Sequence, residues 1–360
     1  MSKFHPLAIA RVERETRDAV AITFAVPDDL SELYRFEPGQ HLTVRTAVDG
    51  ADVRRSYSIC SAPRDGTLRI AVKRCPGGVF SAFANERLKA GDTLEVMPPL
   101  GHFGVPAEPG AARHHVAFAA GSGITPVLSI VKATLEAEPR SQFTLFYGNR
   151  ASASVMFREE LAALKDLHLA RFNLVHVLSR EAQDIDLLHG RIDAARADAL
   201  LRHWAPVAGI DVVYLCGPDT MMQALKALLE SRGVPAAKIR IERFASSIPR
   251  HEHKPAAVPQ GGVAETEVTV ILDGARRSFT LDRTKDSILE AGLRNGVELP
   301  YSCKGGVCAT CRCRVVEGEV DMDANFALED YEVARGFVLA CQSYPATDKV
   351  VVDFDQTGMG

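Results

Sequence analysis

Apolar and polar positions follow two different rhythms along this chain, and the change between them divides it. Up to about residue 107 they alternate in short runs such as Ala21-Ile-Thr-Phe-Ala-Val, His41-Leu-Thr-Val, Leu68-Arg-Ile-Ala-Val-Lys and Thr93-Leu-Glu-Val. Period-two alternation broken by Pro-Gly and Asp-Gly turns predicts an antiparallel barrel or sandwich for residues 1–107. Over residues 108–244 the strands become continuously apolar, as in His115-Val-Ala-Phe-Ala-Ala, Phe143-Thr-Leu-Phe-Tyr, Leu174-Val-His-Val-Leu and Val212-Val-Tyr-Leu-Cys. Helical stretches separate them, at Pro126 to Glu136, Met156 to Leu164 and Thr220 to Arg232, with Gly233 as a C-terminal stop. That rhythm predicts a parallel α/β sheet.

Residues 245–262 read as an interdomain linker, with Pro249, Pro255, Pro259 and a His251-Glu-His253 group that is either solvated or a weak metal candidate. In residues 263–360, Glu267-Val-Thr-Val-Ile-Leu and Ser278-Phe-Thr-Leu flank Asp273-Gly274, a hairpin signal. Asp286 is the expected cap of a helix running through Arg294, with Gly296 ending it. No internal repeat is visible.

A length of 360 residues fits two or three domains, and 46% hydrophobic with 24% charged residues is ordinary for a globular chain. The net charge of −4 argues against a general nucleic-acid binder. Charge is uneven: from residue 263 onward there are 10 basic against 17 acidic residues, and 32 against 29 before it. The split suits electrostatic docking or simply a solvated surface. No signal-peptide pattern and no bilayer-length apolar run is seen, so a cytoplasmic protein without a membrane segment is expected. Its eight cysteines are then not expected to form structural disulfides.

Four of them have another use. Cys303-Lys-Gly-Gly-Val-Cys308-Ala-Thr-Cys311, followed by Cys341, has the Cys-x4-Cys-x2-Cys…Cys spacing of a plant-type 2Fe–2S site. Four thiolates must surround two irons, and Gly305 and Gly306 let one compact loop deliver three of them. A structural zinc site normally pairs two Cys-x2-Cys units, and here there is one. Cys313 reads as a packed strand residue rather than a fifth ligand.

Further motifs point to phosphate-bearing cofactors. Arg54-Arg55-Ser56-Tyr57-Ser58 follows a predicted strand, and Gly77-Gly78-Val79-Phe80-Ser81 offers backbone N–H groups to a phosphate unless it is an ordinary turn. Phe118-Ala-Ala runs into Gly121-Ser122-Gly123-Ile124-Thr125-Pro126, with Thr125 the expected N-cap and Pro126 the first helical residue. Such a helix N-terminus suits a pyrophosphate. Cys216-Gly217-Pro218 closes a buried strand at its carboxyl end, where open α/β sheets place ligands; Cys216 there is either a site residue, the favoured reading, or a buried apolar filler.

Taken together these motifs resemble the ferredoxin–NADP reductase superfamily, and within it the oxygenase reductases that carry a C-terminal plant-type ferredoxin domain. Runs such as Tyr34-Arg-Phe-Glu-Pro-Gly-Gln-His-Leu, Gln142-Phe-Thr-Leu-Phe-Tyr-Gly-Asn-Arg, Asp186-Leu-Leu-His-Gly-Arg-Ile-Asp and Val350-Val-Val-Asp-Phe-Asp are similar to the reductase subunits of phenylacetyl-CoA epoxidase (1,2-monooxygenase) complexes. The resemblance implies a flavin-binding β-barrel, an NADPH-binding α/β domain and an α+β ferredoxin domain of the β-grasp type. It implies that Arg55 binds flavin phosphate, Tyr57 packs on the flavin ring and Ser58 bonds near its N5. Gly78 to Ser81 would hold the pyrophosphate beside the Val72-Lys73 strand. Gly121 to Pro126 and Cys216 to Pro218 would hold the nicotinamide nucleotide, and Phe244 would stack on the flavin's other face or simply anchor the linker. Cys303, Cys308, Cys311 and Cys341 would ligate the irons.

The implied activity takes a hydride from NADPH to the flavin, then passes single electrons through the cluster to a di-iron oxygenase that epoxidises phenylacetyl-CoA. NADPH rather than NADH rests on Arg150 and on Ser179-Arg180 at the end of a sheet strand, since guanidinium suits phosphate; Glu181 follows immediately. FAD rather than FMN rests on the resemblance. Reduction of another oxygenase or a hybrid-cluster protein, and a non-enzymatic iron–sulfur sensor, are the competing readings. If the charge split guides docking, electron delivery to the partner falls as salt is raised from about 0.05 to 0.5 M, the range over which screening of surface charges becomes strong. Stopped-flow reduction of the partner measures this, and a flat salt profile rejects charge-guided docking.

Overall fold

The structure, a computed structural model, describes residues 4–245 and 265–356. The expected linker, with His251, His253 and its prolines, lies outside the described residues apart from residue 245. Among the described residues, no helix is long and apolar enough to cross a membrane. The chain divides into two compact units, one holding the first two sheets and the other the C-terminal sheet.

The alternating runs become β1 (His5–Thr16), β2 (Ala19–Ala25), β3 (His41–Val48), β4 (Ala51–Ser58), β5 (Leu68–Lys73) and β6 (Thr93–Val96), in the order β4-β3-β6-β1-β2-β5. Every pairing is antiparallel. An Ile59–Ile70 bridge joins the end of β4 to β5, with Cys60 N–H donating to Arg69 C=O at 2.8 Å, so the sheet closes into a barrel. Arg54 to Ser58 lie inside β4 rather than after a strand, which turns alternate side chains of that run inward. The Gly-Gly-x-x-Ser run is no ordinary turn: it starts helix α1 (Val79–Glu86), whose Phe80 and Ala84 enter the barrel core with Leu42, Ile59 and Val72.

The second sheet contains β7 (His114–Ala120), β8 (Gln142–Asn149), β9 (Phe172–Leu178), β10 (Val212–Cys216) and β11 (Ile239–Glu242), all parallel in the order β11-β10-β7-β8-β9. Helices α2 (Ile124–Ala137), α3 (Arg158–Leu167), α4 (Ala194–Trp204) and α5 (Asp219–Ser231) cover it. Coverage on both faces explains why β10 is buried throughout and almost wholly apolar. Several expected boundaries move. Helix α3 starts at Arg158 because Phe157 sits in the left-handed region at φ 56°. Thr125 does not cap α2; a 3-10 turn over Gly121–Gly123 precedes the helix, and the Thr125 hydroxyl donates to Ser122 C=O inside the first turn. Gly233 does close α5, at φ 83°.

Barrel and parallel sheet share one core. Ala19, Ala21, Cys60 and Ala71 pack with Val127, Leu128 and Val131 of α2, so the two expected domains form one unit. Salt bridges from Arg69 and Lys132 to Glu160 tie the same surfaces.

The C-terminal unit has β12 (Glu265–Leu272), β13 (Ala275–Asp282), β14 (Arg312–Glu317), β15 (Val320–Met322), β16 (Phe337–Leu339), β17 (Ser343–Pro345) and β18 (Lys349–Asp353). Five of these form a mixed sheet in the order β13-β12-β18-β14-β16, a β-grasp arrangement with helix α6 (Ile288–Arg294) on it and α7 (Asp330–Ala334) near β16; β15 and β17 pair separately. The β12–β13 hairpin turns on Asp273 at φ 52° and Gly274 at φ 73°, the two-residue turn expected. Ser287, not Asp286, caps α6 by accepting from Glu290 N–H; Asp286 instead pairs with Arg294.

In the parallel sheet the chain order reverses between β7 and β10. A Cβ on Gly123 would stand 2.1 Å from the Cys216 carbonyl oxygen, so the loops after these strands touch backbone to backbone. Gly123→Ala should therefore cost about 2 kcal/mol, within the range for overpacking a tight site, and lower the melting temperature by several degrees. Differential scanning calorimetry measures this, and an unchanged melting point rejects the close-contact reading.

Candidate electron-transfer sites

Strand β4 delivers Arg55, Tyr57 and Ser58 from one end of the barrel. Arg55 is exposed, and one of its guanidinium nitrogens donates to Arg54 C=O at 2.7 Å. The Tyr57 ring leans on Phe80 of α1, 5.4 Å between centroids, which brings the β4 motif and the start of α1 together. Gly78 precedes α1 and Val79 is 47% exposed on its first turn. Gly77 has φ 70° with open space where a Cβ would stand, so the backbone is accessible to an anion there. The Ser81 hydroxyl accepts from Cys75 N–H and donates to Gly78 C=O, holding the turn itself. Val72 and Lys73 form the end of β5 behind this turn, with Val72 C=O accepting from Asn85.

Residues Gly121 to Pro126 follow β7 at the point where the strand order reverses, a place where open α/β sheets receive ligands. Gly121 has φ 55° and open space at its Cβ position, and its carbonyl accepts from the Tyr147 hydroxyl at 2.9 Å. Cys216, Gly217 and Pro218 close β10 directly beside them. Cys216 is wholly buried, and burial, reinforced by the Glu242 carboxyl, pushes its thiol well above the usual range. Arg150 and Ser179-Arg180 stand at the ends of β8 and β9, their backbones still paired, with Arg180 N–H donating to Arg150 C=O at 2.8 Å.

One residue of this site carried no expectation. Glu242, the last residue of β11, pairs in register with Cys216 and accepts a hydrogen bond from the Ser58 hydroxyl across the join between barrel and parallel sheet. Burial raises its carboxyl to about 7, opposed by the Ser58 hydrogen bond. The only signal in the sequence is an acidic residue at a strand end in Glu242-Arg-Phe, which says nothing of its distant partner. Phe244, two residues on, is half-buried and packs against the shared core.

In the C-terminal unit the four cysteine sulfurs lie in successive contact: Cys308 with Cys303, Cys303 with Cys341, Cys341 with Cys311. The loop needs left-handed backbone at Lys304 (φ 51°), Gly306 (φ 75°) and Ala309 (φ 51°), and a Cβ on Gly306 would come within 2.9 Å of Ala324 C=O. Gly305 N–H donates to the Cys303 sulfur at 3.3 Å. No three of the described His, Cys, Asp or Glu side chains are grouped as ligands of a single metal ion. Two sulfur pairs linked through Cys303 and Cys341 fit a cluster of two irons, and backbone N–H to sulfur bonding fits one that gains negative charge on reduction. Cys313 is buried in the core of this unit, as a strand residue.

These features define a flavin- and iron–sulfur-dependent NAD(P)H reductase. Family models for an oxidoreductase FAD-binding domain, an oxidoreductase NAD-binding domain and a 2Fe–2S iron–sulfur cluster binding domain match residues 6–104, 118–227 and 270–346. The chain is 48% identical over 359 residues, covering 100% of both, to one subunit of the 1,2-phenylacetyl-CoA epoxidase of Escherichia coli (strain K12). It is 35% identical, over 97% of this chain and 96% of the other, to the ferredoxin reductase component of 3-ketosteroid-9-alpha-monooxygenase from Rhodococcus rhodochrous. Among solved structures, phthalate dioxygenase reductase matches with a TM-score of 0.59 and 25% identity over 98% of each chain. The chain belongs to this family of oxygenase reductases, and is an oxidoreductase that uses FAD, NAD(P) and a 2Fe–2S cluster to supply an oxygenase partner. The sensor reading is thereby set aside.

Because Glu242 ionises near 7 in the folded chain and near 4.5 when unfolded, it favours folding fully below pH 4.5 and loses that contribution as pH rises through 7. Glu242→Gln should remove about 2 kcal/mol of the stability loss between pH 5 and 8, the size set by a carboxyl that titrates near 7 instead of 4.5. Denaturant unfolding at both pH values tests it, and parallel pH profiles for wild type and variant reject a buried, raised carboxyl.

Proposed function

We propose that this chain takes electrons from NADPH and delivers them to the di-iron oxygenase subunits of a phenylacetyl-CoA epoxidase complex, in the cytoplasm. The observation that carries the acceptor is the full-length 48% identity to a component of the Escherichia coli epoxidase. The donor rests on two exposed guanidiniums, Arg150 and Arg180, at adjacent strand ends. The compartment rests on cysteine usage: four of the eight would ligate irons, and Cys60, Cys75, Cys216 and Cys313 form no disulfide, as a reducing environment keeps them.

Arg55 and the N–H groups of Gly78 to Ser81 would hold the flavin phosphates, with Val72-Lys73 alongside. Tyr57 and Phe244 would bracket the flavin ring, with the Ser58 hydroxyl near N5. Gly121, Ser122, Gly123, Ile124, Thr125 and Pro126 would hold the nucleotide pyrophosphate, and Cys216-Gly217-Pro218 would border the nicotinamide. Cys303, Cys308, Cys311 and Cys341 would ligate the irons. When bound, the flavin accepts a hydride and the cluster carries electrons singly, which divides a two-electron donor between one-electron transfers. The residues of this chain then supply position and proton control. Ser58 donates to Glu242, and a carboxyl titrating near neutrality can take up or release a proton at that oxygen while the serine hydroxyl keeps its own and turns between donating and accepting.

The test is NADPH and NADH oxidation by the FAD- and cluster-loaded protein, with and without the oxygenase subunits, phenylacetyl-CoA and oxygen. Epoxide should form with NADPH only when both components are present, and Cys341→Ser should abolish epoxide and the cluster's visible absorption while dye reduction persists. Epoxide from NADH at equal efficiency overturns the donor. Rapid dye reduction without epoxide overturns the acceptor and turns attention to systems such as the one served by the Rhodococcus relative.

A further inference from the structure

Two arginines at neighbouring strand ends would normally attract the nearest carboxylate, and one lies next in sequence. Glu181 follows Arg180, yet both of its oxygens are taken by one residue: Oε2 accepts from Ser152 N–H at 2.7 Å and Oε1 from the Ser152 hydroxyl at 2.6 Å. Ser152 opens the 3-10 turn Ser152–Ser154, which is held shut by Ala151 N–H donating to the Ser154 hydroxyl at 3.1 Å and by that hydroxyl donating to Ala151 C=O at 2.7 Å. The two donors lower the Glu181 carboxyl below its ordinary range, and Arg158 is the cation whose charge also acts on it. Arg150 and Arg180 have no side-chain partner among the described residues, although many arginines of the same unit are ion-paired, including Arg45, Arg54, Arg69 and Arg113. Their backbones remain joined, Arg180 N–H to Arg150 C=O at 2.8 Å, so the two guanidiniums start from adjacent positions.

We infer that Ser152 is a specificity-determining residue: by chelating Glu181 it withholds the carboxylate from Arg150 and Arg180 and leaves both guanidiniums for the 2′-phosphate of the donor. This rests on the NADPH reading above and extends it to residues that need not touch the nucleotide. Released, Glu181 would pair with Arg180 or Arg150, neutralise the grip and repel a phosphate dianion. Ser152 is thus a positioning residue acting through Glu181, and its effect should appear for 2′-phosphorylated ligands alone.

The experiment is calorimetric titration of the FAD- and cluster-loaded protein with 2′,5′-ADP and with 5′-AMP. Ser152→Pro removes both donors, and Ala151 at φ −152°, ψ 166° already has the extended backbone that precedes a proline. Ser152→Ala removes the hydroxyl only, and serves if the proline variant fails to fold. The Kd for 2′,5′-ADP should rise about fivefold in Ser152→Pro, the size of an exposed charge-pair effect, and less in Ser152→Ala. The 5′-AMP value should be unchanged, and Glu181→Gln added to either variant should restore 2′,5′-ADP binding. An unchanged 2′,5′-ADP affinity, an equal loss for both ligands, or a loss that Glu181→Gln does not rescue overturns the inference. Wild-type protein that binds 2′,5′-ADP no more tightly than 5′-AMP overturns the NADPH reading itself, and this inference with it. A wild-type preference for 2′,5′-ADP with flat variants overturns the role of Ser152 alone.

Discussion

The contact on which the reductase unit depends is a missing side chain. Gly123 meets the Cys216 carbonyl at a separation no Cβ could survive, and Gly217 lies against Ala120 at the same junction. Because these loops close backbone to backbone where β7 and β10 diverge, the sheet presents peptide groups rather than side chains at its carboxyl edge. Anion recognition by N–H groups requires that. The residues proposed to hold the pyrophosphate and border the nicotinamide flank this junction, Gly121 to Pro126 on one side and Cys216 to Pro218 on the other, while Arg150 and Arg180 stand further along the same edge, at the ends of β8 and β9.

The second constraint is the join between barrel and parallel sheet. Small residues on β2 and β5 let α2 pack into the shared core, while Arg69 and Lys132 converge on Glu160 at its edge. Fixing that join aligns two residues 184 positions apart, Ser58 and Glu242, closely enough to share a hydrogen bond. A carboxyl held near neutrality beside a hydroxyl is an arrangement that neither element contains alone, and it exists because the two sheets pack as one unit.

The iron–sulfur loop is organised differently, because its constraints are local. Three left-handed residues, one of them Gly306 pressed against Ala324, set the path of nine residues, and the fourth cysteine, Cys341, arrives on the segment following β16. Lys304 and Ala309 adopt that backbone without being glycine, a strain of about 1 kcal/mol each that the surrounding packing must offset. The core of this unit packs Cys311, Cys313 and Cys341 together with Val350 and Val352, so two of the four proposed ligand cysteines are anchored in the hydrophobic core.

Period-two and continuous apolar patterns in the sequence determined the barrel, the parallel sheet, the β12–β13 hairpin and the ranges of β5, β6 and β10, because each strand's burial is written in its own residues. The cysteine spacing determined the cluster for the same reason: chemistry and geometry sit in one short loop. Capping was less legible. Thr125 and Asp286 are sound cap residues by type, yet a 3-10 turn over Gly121–Gly123 and the better-placed Ser287 displaced them, which depends on where the preceding strand or loop delivers the chain. Only the tertiary structure decided that barrel and α/β sheet are one unit, that Glu242 meets Ser58, and that Ser152 holds Glu181 away from Arg150 and Arg180. Those are contacts between segments distant in the chain, and no local pattern encodes which carboxylate a folded sheet will bring to which donor.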